Sequence, residues 1–226
     1  MGRPRSDIQP RIVEAARARF LAEGVDGASL REIARDAETN IGMIVYYFPT
    51  KDDLFLSVVE GVYADVLRDI EKILRVKGSA RERLRHALVR LGTASERELE
   101  VIRLMVREAL SSSTRLRRIL ARFMRGHVPL LIETISEGVR NGEFDAKIPV
   151  PFLLLAFIGL GGLPQLVRRG APSIPFFASL PGAEDLADVS MAVLFRAVGA
   201  SASSVGDRNG PVARKPRSLR RKTVKR

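Results

Sequence analysis

The sequence predicts an all-α protein in which a small N-terminal three-helix unit precedes a larger helical body. Apolar residues recur at helical spacing along most of the chain, whereas no segment shows the alternation of a β-strand. Gly, Pro, Ser and Asn occur mostly between these periodic stretches and are expected to end the helices. With 226 residues and a hydrophobic fraction of 46%, the chain can bury a sizeable core. We expect about nine helices in total.

The first helix is predicted from about Asp7 to Glu23. Ile12, Ala16 and Phe20 recur along it at four-residue spacing, which places them on one face. We expect that face to pack against the two helices that follow.

The next segment reads as two short helices joined by a tight turn, followed by a longer helix. Ser29 with Glu32 fits a capping box, and Asn40 can cap the second short helix. Thr50 with Asp53 fits another capping box, at the start of the long helix. Two short helices with a brief turn are the geometry that lays a helix in the DNA major groove.

This pattern resembles the TetR family of transcriptional regulators, over about the first quarter of the chain. Three positions depart from the family pattern. Glu38 stands where the turn usually has Gly, Thr39 where an apolar residue is usual, and Val45 where Tyr commonly touches a phosphate. A non-Gly residue in a left-handed turn conformation costs about 1 kcal/mol.

The resemblance and the side-chain chemistry together give a candidate DNA-binding set. Asn40 can bond a phosphate or an adenine edge, and Ile41 can pack on thymine methyl groups. Lys51 matches the phosphate-binding lysine of the family, whereas Ile44 and Phe48 are expected to face the core. One of the two adjacent tyrosines is also expected to be partly core. The candidate DNA-binding residues are Arg5, Arg31, Thr39, Asn40, Ile41, Gly42, Met43, Tyr46, Tyr47 and Lys51.

The net charge of +12 is concentrated near the C-terminus. Residues 201–226 hold nine basic residues and one acidic residue, so they supply eight of these twelve charges. Their composition predicts a disordered basic tail, and whether it contacts DNA stays open. Residues 2–5, Gly-Arg-Pro-Arg, are typical of a basic arm that enters a minor groove, and a plain disordered start is the alternative.

For the body, the resemblance implies a ligand pocket within the helices after helix four. The candidate ligand-binding residues are Tyr63, His86, Met105, Glu108, Phe123 and His127. Each of them also fits an ordinary core or surface position. Aromatic and Met side chains favour an apolar or amphipathic small-molecule effector.

Helix seven, predicted from about Arg115 to Asn141, carries a stripe of arginines on one face. The stripe consists of Arg115, Arg118, Arg122 and Arg125. A solvated face is one interpretation, and a phosphate or carboxylate partner is the other.

The last helix, predicted from about Ala183 to Ala200, is apolar over more than half its girth. One apolar face is formed by Leu186, Val189, Val193 and Ala197, and a second by Met191, Leu194, Phe195 and Val198. We expect the chain's own core to cover one face and a partner subunit to cover the first. The uncharged residues 148–167 could span a bilayer by length, but their Pro and Gly content favours a buried helix at a subunit interface.

The sequence has no Cys, two His and none of the common catalytic motifs. We therefore expect no enzymatic activity, no catalytic residue, no metal site and no cofactor. The expected domains are a helix-turn-helix DNA-binding domain at 1–50, a helical ligand-binding and dimerisation domain at 51–200, and the tail at 201–226.

The predicted function is that of a ligand-responsive transcriptional regulator. We expect a cytoplasmic homodimer that binds a double-stranded DNA operator, has no membrane association, and is released from DNA by a small-molecule effector. Repression is the expected outcome. Activation stays open, because the DNA-binding region does not determine whether transcription is repressed or activated. The alternative function is an architectural DNA-binding protein without a small-molecule ligand.

Overall fold

The computed structural model describes residues 7–171 and 173–198. Within these ranges the chain is α-helical, with one π-helical turn at Ile158–Gly162 and no strand. The expected all-α fold is therefore confirmed. Arg5 and the predicted tail lie outside the described residues.

The α-helices follow one another along the chain and are labelled in order. They are α1 (Ile8–Gly27), α2 (Leu30–Asp36), α3 (Ile41–Tyr47), α4 (Lys51–Arg75), α5 (Ala80–Gly92), α6 (Glu96–Ser111), α7 (Ser113–Phe123), α8 (His127–Arg140), α9 (Val150–Phe157), α10 (Leu163–Gly170), α11 (Pro175–Ala178) and α12 (Ala183–Val198).

These helices outnumber the nine expected because two predicted helices are interrupted and one short helix is additional. The helix predicted over 115–141 breaks at residues 124–126 into α7 and α8. The sequence also predicts a helix over about 151–168, and this segment contains the π-helical turn, directly before Pro164 in the first turn of α10. Proline lacks the backbone N–H of a regular helix, and a local change of helical pitch accommodates that loss. The short α11 lies in the predicted Pro-rich loop.

Capping explains where several helices begin. The Thr50–Asp53 capping box is present at the start of α4, as predicted. Another box, formed by Ser95 and Glu98, starts α6 four residues after α5 ends. The sequence predicts helix five over about 80–97, so the observed α5 is shorter than expected. At α2 the predicted box is absent, because the Ser29 side chain accepts from the Arg31 N–H rather than from the third helical residue.

Helices α1 to α3 form an N-terminal three-helix unit, here called the head. Ile12, Phe20 and Ile33 are completely buried, and Ile44 and Phe48 of the α3 segment face the same core, as predicted. The hydrophobic core of the head does not end with the residues of α1 to α3. It continues into the body through apolar side chains of α4, α6 and α7: Leu54, Phe55, Val58, Val101, Leu104 and Ile119.

A second hydrophobic core lies in the body. It is built from α5, α8, α9, α12 and the last turns of α4, and its largest fully buried members are Leu84, Leu88, Ile135, Phe144 and Leu153. Helix α4 contributes to both cores, with Leu54 near its start and Leu74 near its end. A single long helix thus joins the head to the body.

The turn between α2 and α3 has the left-handed conformation expected from its position in the motif. Glu38 has a φ of 50°, a value that side chains with a Cβ adopt at an energetic cost. The next residues close the turn, since the Thr39 N–H donates to the Ala34 carbonyl at 2.9 Å.

Replacing Glu38 should therefore separate backbone strain from side-chain contacts. We expect Glu38→Gly to be more stable than Glu38→Ala by about 1 kcal/mol, because only glycine adopts this conformation without steric cost. Both variants lose the Glu38 carboxylate and its contact with Arg11 at 3.3 Å, so the alanine variant is the matched control. Urea unfolding gives both free energies, and an equal or higher stability of Glu38→Ala would contradict the strain.

Candidate functional site

The α3 helix presents a mixed apolar and aromatic surface to solvent. Tyr46 is 77% exposed, and Ile41 and Val45 are also exposed. Tyr47 is half-buried and packs against the core of the head, so one of the two tyrosines is partly core, as predicted. The outward face of α3 therefore combines one phenol hydroxyl with aliphatic groups that can contact thymine methyls.

The start of α3 is fixed by a side-chain cap. The Asn40 Oδ1 accepts a hydrogen bond of 3.0 Å from the Met43 N–H. A Cβ at Gly42 would lie 3.1 Å from that same oxygen, so glycine leaves room for the cap. The cap uses the side-chain oxygen of Asn40, whereas its NH₂ group is the donor that a phosphate or a base acceptor requires. Met43 and Thr39 are half-buried beside this cap.

Lys51 has a structural role that the sequence analysis did not foresee. Its ammonium group donates to the carbonyl oxygens of Asp26 at 3.1 Å and Ala28 at 2.8 Å. These bonds hold the end of α1 against the start of α4. An ammonium has three N–H donors, so a phosphate contact from Lys51 has to be made together with these bonds. Arg31, at the start of α2, is exposed.

Other arginines of the head are paired with acidic groups of the head itself. Arg19 contacts carboxylates of Asp36 at 2.7 Å, Glu23 at 3.0 Å and Glu32 at 3.2 Å. Arg35 also lies beside Asp36, at 3.3 Å. These internal pairs keep positive charge on the head from acting as a simple electrostatic patch for DNA.

In the body, three of the six candidate ligand-binding residues lie together. Tyr63 of α4, Phe123 of α7 and His127 of α8 form an aromatic cluster with ring centroids 4.9–5.6 Å apart. The Tyr63 hydroxyl is hydrogen-bonded to the His127 Nδ1, and the guanidinium carbon of Arg122 lies 4.6 Å from the Tyr63 ring centroid. We refer to Tyr63, Phe123 and His127 as the aromatic cluster.

The aromatic cluster is polar but uncharged at neutral pH. Burial lowers the pKa of His127 to about 4, and the positive charge of Arg122 adds to this effect. Burial also raises the pKa of the Tyr63 hydroxyl. The Tyr63 hydroxyl oxygen already accepts from the His127 backbone N–H at 3.3 Å, so in the tautomer with its proton on Nε2 the phenol donates to Nδ1.

The other three candidates occupy different places. Met105 is half-buried and packs against the first core. His86 is exposed on α5, away from the aromatic cluster, so the structure does not support it as a pocket residue. Glu108 is 3% exposed and is held in an ion-pair cluster between the head and the body, where its charge is already matched.

That ion-pair cluster is centred on Arg115, whose side chain is 7% exposed. Its guanidinium contacts Glu108 at 2.7 Å, Asp52 at 3.0 Å and both carboxylate oxygens of Asp26. We refer to Arg115, Asp26, Asp52 and Glu108 as the Arg115 cluster. It was missed by the sequence analysis, although Arg115 lies four residues before the buried Ile119 and hence on the inward side of α7.

The same arrangement decides between the two interpretations of the arginine stripe. Arg118 pairs with Asp53 at 2.9 Å, and Arg122 pairs with Glu60, with one N–O distance of 3.0 Å. Three arginines of α7 thus face carboxylates of α4, so a carboxylate partner is correct for them, and Arg125 is exposed.

Helix α12 contacts both α9 and α10, and the three helices carry an exposed apolar surface. Its large side chains are Phe152, Leu155, Ile158, Leu163, Val189 and Val193. Leu186 is only 4% exposed, because α12 turns this residue toward its own chain, so it is removed from the predicted partner-facing set. Val189, Val193 and Ala197 are exposed.

One helical stretch, Val150–Gly170, is long and apolar enough to cross a membrane by length and composition alone, and 28% of its most apolar window is buried. A core helix of this composition would be mostly buried. This stretch is instead largely exposed, as part of the apolar surface described above.

The pKa of His127 leads to a pH-dependent stability. As the pH falls below 6.5, the unfolded chain binds a proton at this position before the folded chain does. The contribution of His127 to the free energy of unfolding therefore decreases as the pH is lowered from 6.5 to about 4. We expect the wild-type free energy of unfolding to lose about 1.4 kcal/mol per pH unit across this window, in excess of the loss in His127→Gln. Urea unfolding at several pH values measures both curves, and parallel curves would contradict a buried neutral imidazole.

Comparisons with known proteins agree with this arrangement. Residues 12–58 match the family model of bacterial regulatory proteins of the tetR family. The probable HTH-type transcriptional regulator YttP of Bacillus subtilis is 27% identical over 158 residues, which cover 69% of this chain and 76% of the relative. The HTH-type transcriptional repressor NicS of Pseudomonas putida is 29% identical over 149 residues, which cover 64% of this chain and 70% of the relative.

Solved structures share the fold. The crystal structure of the transcriptional regulator FadR from Bacillus subtilis in complex with stearoyl-CoA has a TM-score of 0.66, with 82% of this chain and 97% of that chain covered. Its sequence identity is 18%, so this likeness concerns the fold alone. The match over residues 12–58 shows that the N-terminal part of the chain carries the helix-turn-helix region of the bacterial tetR family, and the two relatives are transcriptional regulators to which the longer part of the chain is similar.

Proposed function

We propose that this protein is a homodimeric repressor that occupies a roughly two-fold DNA operator and is released by an apolar or amphipathic effector. The observation that carries the proposal is the exposure of α3. Its outward side presents Ile41 and Tyr46, while its inward side is anchored by Ile44 and Phe48. A rigid helix with one free face is what readout in the major groove requires.

The aromatic cluster is the proposed contact point for the effector. Its rings supply apolar contact area, and its hydroxyl–imidazole pair supplies an uncharged polar group among them. This combination suits a ligand with an apolar portion and a neutral polar group. FadR of Bacillus subtilis, which has a similar fold, was solved in complex with stearoyl-CoA, an amphipathic molecule of the proposed class.

Helix α4 connects the proposed effector site with the proposed DNA-binding surface. It carries Tyr63 in its middle and begins at Lys51, three residues after Phe48 of the recognition segment. An effector that displaces Tyr63 would favour a different position of α4 and hence of the head. Release then depends on a difference in effector affinity between the two positions.

The proposed dimer uses the exposed apolar surface of α9, α10 and α12. A Cβ at Gly159, in the middle of this surface, would meet nothing within 4 Å, so a partner helix can approach closely there. Two heads held on one dimer would match two operator half-sites. A protein that binds chromosomal operators in this way acts in the cytoplasm.

Tyr46 tests the assignment of the DNA-binding surface. On an operator selected from genomic fragments, we expect Tyr46→Ala to lower affinity about tenfold, the usual cost of one lost specific contact. Phe176→Ala is the matched control, because Phe176 is an equally exposed aromatic residue in the body. Fluorescence anisotropy at fixed salt measures both affinities.

An unchanged affinity of Tyr46→Ala would contradict readout by α3, and a strong salt dependence with no operator preference in the wild type would favour the architectural alternative.

Stearoyl-CoA and free coenzyme A, added to the bound operator, test the proposed effector class. Release by the acyl compound alone supports it, whereas release by both or by neither counts against it.

Val193 tests the dimer. Val193→Asp should yield monomers in sedimentation velocity at micromolar concentration, because it places a charge on the proposed apolar interface. Val193 is 47% exposed in the single chain, so the fold of the protomer should persist. Leu110→Asp is the matched control, since Leu110 is 85% exposed on α6 outside this surface. A monomeric wild type, or monomers in both variants, would contradict the proposed interface.

A further inference from the structure

The Arg115 cluster lies where the head meets the body. Asp26 belongs to the last turn of α1, beyond the irregular backbone at Gly24, and Asp52 belongs to the first turn of α4. Glu108 is on α6 and Arg115 on α7. The guanidinium of Arg115 on α7 therefore connects the end of α1 with the start of α4 and with α6.

We propose that Arg115 is a positioning residue for DNA binding, which fixes the head relative to the body and thereby sets the separation of the two heads on the operator. The inference rests on the proposed function, because it requires a dimer that occupies two half-sites. Arg115 itself is not assigned a contact with DNA.

The chemistry of arginine suits this role. A planar guanidinium presents five N–H donors in a fixed fork, so its partners are held at defined angles. Here the Nε group faces Asp52 at 3.0 Å, while Nη1 faces Glu108 at 2.7 Å and Asp26 at 3.0 Å. A lysine at this position would keep the charge but could not reproduce these directions.

Burial constrains the relative positions of the side chains in the Arg115 cluster. The side chains of Arg115 and Glu108 are 7% and 4% exposed, so separating them leaves an unpaired charge away from water. Glu108 also accepts a 3.2 Å hydrogen bond from the Val25 N–H, next to Gly24. A small displacement of the head is thus opposed by both the ion pair and the backbone contact.

The neighbouring Arg107 supports the same junction. Its guanidinium donates to the Leu21 carbonyl at 3.1 Å and to the Phe20 carbonyl. Both carbonyls lie near the end of the regular part of α1, where carbonyl groups lack partners within the helix. The end of α1 is therefore held by consecutive helices of the body, α6 through Arg107 and Glu108 and α7 through Arg115.

Asp26 allows the positioning role to be tested without burying a charge. Its side chain is 81% exposed, and its pKa is lowered chiefly by the hydrogen bond from Arg115. Asp26→Ala removes the head's side-chain link to Arg115 while Arg115 keeps Asp52 and Glu108. Arg115→Lys keeps the charge and alters the geometry. Arg90→Lys is the matched control, because Arg90 pairs with Asp69 and Glu98 within the body, away from the head.

The experiment compares the affinity of each full-length dimer for DNA with two half-sites and for DNA with one half-site. A second series adds or removes one base pair between the half-sites. We expect Asp26→Ala and Arg115→Lys to lose about tenfold in their preference for two half-sites, a typical size for coupling between sites. Both variants should also discriminate less between spacings. Their affinity for a single half-site should stay within about twofold, as should every measurement on Arg90→Lys.

The outcomes separate the inference from the proposed function. A wild type with no preference for two half-sites overturns the proposed function. A wild type with this preference and variants that retain it, including its dependence on spacing, overturns the positioning role. An equal loss for one and two half-sites also overturns it, because a head that is merely destabilised loses both affinities together.

Discussion

The burial of one face of α4 is the interaction on which the rest of the structure depends. Leu54 and Phe55 at its start complete the core of the head, and Leu74 at its end belongs to the core of the body. A helix of 25 residues is about 37 Å long at 1.5 Å per residue, so it can connect two cores as one rigid element. Movement of either core is therefore transmitted along α4.

The contact between α4 and α7 adds directional constraints to this apolar packing. Apolar contacts tolerate small rotations of one helix against another, whereas a guanidinium that pairs with several carboxylates allows fewer orientations. The Arg115, Arg118 and Arg122 pairs lie along the first half of α4, which leads from the head to Tyr63. The junction thus combines apolar contacts with ion pairs, one of which is buried, so the relative position of α4 and α7 is narrowly defined.

Local signals account for what could be predicted from the sequence. Four-residue apolar spacing and the Thr50–Asp53 box predict the long helix over about 51–74, within one residue of the observed α4. The family pattern located the strained turn at Glu38. Periodicity does not reveal which apolar face meets the chain's own core, so Leu186 was placed on the wrong side of α12. The Arg115 cluster joins residues 89 positions apart, and no local pattern carries such a pairing.

The exposed apolar surface of α9, α10 and α12 links the folding of the proposed dimer to its concentration. Association removes this surface from water, so the free energy of unfolding increases as protomers become more abundant. Newly made protomers, at low concentration, present Phe152 and Leu163 to solvent. In the proposed dimer, resistance to unfolding and proteolysis therefore rises with the abundance of the protein.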